Sequence, residues 1–124
     1  MHTRLFLFVF ALSCCFLACN QFDKNSLIGH WKAIKVFEEG KEMELDINPI
    51  HFSFDKNDRY EYHRTIGYQE AGKYILTGDL LLSTDTTRTD GKEKAVKIIQ
   101  LVKDSLKLEM LANDKKQTIH LVKQ

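Results

Sequence analysis

The sequence predicts an all-β fold: an antiparallel, up-and-down β-barrel of about eight strands in meander order, led by a short N-terminal helical turn. Three observations predict it. From Ile28 onward, apolar and polar residues alternate in short runs, the period-two signature of half-buried strands. Turn residues separate those runs at hairpin spacing, so each strand is followed by an antiparallel neighbour. A succession of short strands leaves exposed edges, and closing the sheet on itself removes them. A two-sheet sandwich is the second arrangement that the pattern allows.

The elements follow in order. Asn25-Ser26-Leu27-Ile28 reads as the single helical turn, with Ser26 or Asn25 as its cap. Trp31 to Phe37 is the first strand, and its alternation slips phase near Ile34, a slip that a bulge absorbs. Glu38-Glu39-Gly40-Lys41 is a turn, and Met43, Leu45 and Ile47 alternate in a second strand before Pro49. Ile50, Phe52 and Phe54, the Asp55-Lys56-Asn57-Asp58 turn, and Tyr60 and Tyr62 form the clearest hairpin. After Gly67, Gly72 to Thr77 turns through Gly78-Asp79 into Leu80 to Thr84. A polar loop spans 84–93; then Ala95 to Lys103 carries Val96, Ile98 and Val102 on one face. Leu106, Leu108 and Met110 form the next strand, Asn113 to Lys116 a turn, and Ile119 and Leu121 the last strand.

The N-terminal segment has a different chemistry. Arg4 supplies a basic start, Leu5 to Leu12 an apolar core, and small or polar residues lead to Cys19, the layout of a secretory signal peptide. Phe16-Leu17-Ala18-Cys19 resembles a bacterial lipobox, in which the cysteine is acylated and becomes the new N-terminus. On this reading residues 1–18 are the signal peptide, 19–25 a lipidated tether, and 26–124 one domain. Two or three acyl chains, palmitate among them, hold a protein firmly where a single chain holds it marginally. The expected location is the cell envelope after export, lipid-anchored, on the outer membrane rather than the inner.

Composition narrows the function classes. All three cysteines lie at or before Cys19, so the expected domain has no disulfide, no thiol nucleophile and no thiolate metal site. With 18 basic against 17 acidic side chains interspersed along the chain, no basic face for nucleic acid is predicted.

Three segments resemble a known superfamily. Leu27-Ile28-Gly29-His30-Trp31 resembles the Gly-x-Trp motif of the lipocalins, where a helical turn precedes a tryptophan that closes one barrel end. The hairpin of Phe52, Phe54, Tyr60 and Tyr62, and the next one over Gly72 to Leu82, are similar to those of small lipocalin-like domains in Bacteroidetes-type exported lipoproteins. The resemblance covers essentially all of residues 26–124 and implies that Gly29 and Trp31 close the barrel. Lipocalins place a late arginine over that tryptophan; here the last arginine is Arg88, leaving Lys116 or Lys123 for the role. No Thr-Asp-Tyr-type loop motif is present, and the barrel is smaller than a transport lipocalin's.

The alternation points Trp31, Phe52, Phe54, Tyr60, Tyr62 and Tyr74 to one side of the sheet. Either these aromatics line a pocket at the barrel mouth, with hydroxyls orienting an amphipathic ligand, or they fill the interior. His30, His51, His63 and His120 show no local metal spacing, although pairing across the Asp55–Asp58 turn brings His51 toward His63. No nucleophile elbow or acid–base pair is found, so a non-catalytic protein without cofactor is expected. Two functions remain: binding a small apolar or amphipathic molecule, or, with a filled barrel, binding an envelope protein or polysaccharide. Interior volume separates them.

Overall fold

The computed structural model describes residues 22–64 and 67–124; the signal-peptide and Cys19 readings lie outside the described residues. The helical turn, α1, spans Lys24–Leu27, one residue earlier than expected. Its cap is Asp23, not Ser26 or Asn25, because the Asp23 carboxylate accepts from the Asn25 amide at 2.9 Å. The strands are β1 (Gly29–Glu38), β2 (Lys41–Glu42), β3 (His51–Phe54), β4 (Arg59–His63) and β5 (Gln69–Thr77). They continue with β6 (Leu80–Asp85), β7 (Glu93–Val102), β8 (Ser105–Ala112) and β9 (Lys115–Lys123).

Each strand pairs antiparallel with the next, except that β3 skips β2 to pair with β1, and β1 also pairs with β9. That last pairing closes an eight-stranded up-and-down barrel, with β2 as a short extension beside β1. The sandwich alternative is thereby set aside. The register of β1 on β9 jumps between Ala33 and Lys35, leaving Ile34 as the bulge that the phase slip predicts.

Two expectations are corrected. The strand expected over 42–49 is limited to Lys41–Glu42. Beyond it the Asp46 carboxylate accepts from the Asn48 amide, and Pro49 has no N–H to donate, so the ladder stops. Met43 and Ile47 fold back as a loop and pack against the core. In β7 a second bulge, between Ile98 and Gln100, reverses the phase of the strand's end. Val102, expected inside, is therefore exposed, and Leu101 takes the inward place.

The antiparallel order divides the connections between two ends. At one end the links are short: 55–58, 78–79 and 103–104. Here α1 plugs the barrel. Leu27 and Trp31 are fully buried, and the Trp31 indole N–H donates to the Leu27 carbonyl at 2.8 Å. Lys123 Nζ lies 5.4 Å from the centre of the Trp31 ring, so of the two lysines it is Lys123, not Lys116, that sits over the tryptophan. Gly29 has φ +143°, and a Cβ there would meet Lys123 Cε at 2.7 Å; the missing side chain lets the lysine stem cross to the indole. At the other end the links 39–50, 64–68 and 86–92 are longer, and only 113–114 is tight.

Candidate functional site

The long-loop end opens into the barrel. A cavity of about 380 Å³ has Phe52, Phe54, Tyr60, Tyr62 and Tyr74 among its walls, five of the six aromatics that the alternation points to one side of the sheet. Trp31 is not among its walls; it belongs to the closed end. A second cavity of about 460 Å³ lies under the 43–50 loop, walled by Val36, Met43, Leu45, Pro49 and Ile50. Tyr62, Arg64 and Gln117 line both. Each volume falls within the range of small-molecule sites, roughly 300–1,000 Å³.

The aromatics form a connected wall. Phe52 stacks on Tyr62 with centroids 4.2 Å apart, Phe54 meets Tyr74 edge-on at 5.2 Å, and Tyr62 meets Tyr68 edge-on at 6.2 Å. Cross-strand register explains this: Phe52 faces Tyr62, and Phe54 faces Tyr60. Leu81, Val96, Leu108 and Met110 complete the apolar lining.

One of the charged side chains in this wall is buried. Glu70, on β5, is 4% exposed. Its Oε1 accepts from the Tyr60 hydroxyl at 2.5 Å; its Oε2 accepts from the Tyr68 hydroxyl at 3.1 Å and from Lys94 Nζ at 3.2 Å. A buried carboxylate is tolerated because hydrogen bonds and a cation offset its lost hydration. The network also holds Tyr60 in its neutral form. Burial, then the Glu70 hydrogen bond and charge, push the Tyr60 hydroxyl far above its usual range, with a Ser83 hydrogen bond opposing. Burial pushes Tyr62 up to about 12 against the pull of Arg64, and burial followed by Asp58 and Asp55 does the same for Tyr74.

Next to this group, Asp85 closes the end of β6. Burial raises its carboxyl, but hydrogen bonds from the Thr87 hydroxyl and amide, a backbone hydrogen bond from Ala71 and the Arg88 charge outweigh it, leaving it below the usual carboxylate value. Gly72 pairs with Asp85, and a Cβ at Gly72 would lie 1.8 Å from the Thr84 carbonyl oxygen, so only glycine lets β5 and β6 approach this closely.

Sequence reasoning missed Glu70, Tyr68, Arg64, Ser83 and Lys94. A signal for two of them was present. Glu70, Gly72, Tyr74 and Leu76 alternate as one inward face, but the strand was expected to begin only at Gly72. Lys94 likewise precedes Val96 and Ile98 in phase.

His30, His51, His63 and His120 sit on the outer face. His51 and His63 are register partners with rings stacked at 4.1 Å; His51 Nδ1 donates to the Pro49 carbonyl, and His63 Nε2 is 3.8 Å from Glu61. His30 meets Ser53 at 2.7 Å. Burial, with Lys107 and Lys35 adding, keeps His120 below its usual value. Among the described residues, no three His, Cys, Asp or Glu side chains gather to hold a metal ion. What the open end can do is enclose an apolar body and hold one polar group against it. No protein-family model matches the chain, and no curated protein matches it either.

Proposed function

We propose that this protein is an exported, lipid-anchored, lipocalin-like domain that holds a small apolar or amphipathic molecule in the open end of its barrel, without transforming it. The observation that carries the reading is the aromatic-walled cavity of about 380 Å³ with its single embedded polar cluster. A barrel of eight strands is wide enough either to be filled by its own side chains or to hold one small ligand. Space at one end favours the second. The Gly29–Trp31–Lys123 arrangement at the other end supports the lipocalin-like part of the proposal.

The envelope-interaction reading would need a filled interior, and the cavities weigh against it. A thermal-shift screen of the domain from Asn20 onward across lipids and apolar metabolites tests the ligand reading. Stabilisation by at least one chemical class is expected; a flat response across the panel would remove its main support. For the anchor, Cys19→Ala is expected to move the protein from the membrane to the soluble fraction. A variant that stays membrane-bound without lipid would contradict it.

A further inference from the structure

Glu70 is the feature of the cavity that an apolar ligand alone does not explain. An apolar side chain at this position would leave the Tyr60 and Tyr68 hydroxyls to face the cavity and would avoid burying a charge. Instead a carboxylate is set 4% exposed in the wall, and the ammonium that balances it comes from Lys94, whose side chain is 57% exposed. The fixed charge is therefore negative and interior; the compensating positive charge arrives on a long, flexible, half-solvated stem. Arg64, the remaining cation of the wall, is also exposed.

We propose that the cavity selects a ligand carrying an ammonium group on an apolar body, its nitrogen taking the place of Lys94 Nζ on Glu70. This inference rests on the ligand-binding reading above. The exchange is isoelectric: one ammonium leaves the carboxylate for water and another replaces it, so the buried charge never stands unpaired. The displaced place on Glu70 Oε2 lies beside the Tyr68 hydroxyl, which donates to the same oxygen, and Tyr68 meets Tyr62 edge-on in the wall that would receive the apolar body. An anionic head would instead be brought up against Glu70. Seated on Glu70, Lys94 acts as an internal competitor, and apparent affinity falls by the fraction of molecules in which it occupies the site.

The test is calorimetric titration of the full chain with decylamine, decanol and decanoate, each below its micellar concentration. Decylamine is expected to bind several-fold more tightly than decanol in the unmodified chain, where its ammonium must displace Lys94, and about tenfold or more tightly once that competitor is removed, the scale of one charge-assisted hydrogen bond. Glu70→Gln, which keeps the shape and one acceptor, is expected to level the two. Lys94→Met is expected to tighten decylamine binding by several-fold, since the competitor is gone. Lys94→Arg, which keeps the competitor, is expected to give no such gain. Equal affinities for decylamine and decanol in the unmodified chain would overturn the inference and leave the ligand reading standing. Tightest binding by decanoate, weakened by Lys94→Met, would overturn it in favour of an anion site built on Lys94 and Arg64. No binding of any of the three would defeat the ligand reading, and the inference with it.

Discussion

The two ends of the barrel are built from the same strands and spend them differently. At the closed end, links of two to four residues hold the strands together, α1 covers the opening, and the polar groups of Trp31 and Tyr74 are satisfied by backbone carbonyls of Leu27 and Asp55. At the open end the links lengthen, the walls part into two cavities, and the polar groups of Tyr60, Tyr68 and Lys94 converge on one side chain, Glu70. Backbone partners fix a core; a side-chain network around a cavity leaves partners that a ligand can exchange. On the ligand reading, stability is concentrated at the closed end and partly given up for binding at the open one.

The largest expected effect lies at the closed end. Trp31→Ala should lose about 3–5 kcal/mol in urea unfolding, as for other fully buried aromatics, enough to approach the whole stability of a small domain. A loss under about 1 kcal/mol would mean that the closed end does not hold the domain together. Lys94→Ala at the open end removes one partner of a buried carboxylate and should cost about 1–3 kcal/mol. A cost as large as that of Trp31→Ala would mean that the mouth is as structural as the plug.

Smaller effects are expected through pH. Tyr74 ionises near 12 in the folded chain against its ordinary 10.0. The stability tied to its neutral form is full below about pH 10 and is lost as pH rises through the folded value. Tyr74→Phe should lose about 0.5–1.5 kcal/mol at neutral pH with its bond to Asp55, and it should flatten the alkaline fall in chemical-denaturation midpoints. Asp85 acts in the opposite direction. Its folded value lies below the usual carboxylate value, so its contribution is present above that unfolded value and disappears as pH falls through the folded one. Asp85→Asn should therefore weaken the domain at neutral pH and narrow its acid-induced loss. An unchanged acid profile would remove Asp85 from the account.

The fold was largely legible because strand alternation and turn chemistry are local. The hairpin of Phe52 to Tyr62, the helical turn and even the Ile34 bulge show in spacing alone. The bulge near Ile99 was not legible, since Val96, Ile98 and Val102 keep a regular alternation that the chain does not follow. The 43–50 loop was misread because Met43, Leu45 and Ile47 alternate like a strand, but after the Met43 amide donates to the Val36 carbonyl the chain leaves the ladder. The aromatic half of the site was readable from its alternation. The polar half was legible only in phase: Glu70 and Lys94 fall on the inward faces of their strands, but a buried glutamate looks like a solvated one until β4 and β7 bring Tyr60 and Lys94 to it. His51 and His63 were placed together by register, and they belong to the outer surface rather than to the cavity.

The most direct test of the open end as a ligand site is native mass spectrometry. The domain from Asn20 onward would be incubated with a mixture of alkyl-chain amphiphiles, beside a Val96→Trp variant that fills the cavity from its own wall. A one-to-one adduct on the unmodified domain, lost on denaturation and absent from Val96→Trp, is the result expected. Equal adducts on both proteins, or none on either, would contradict it.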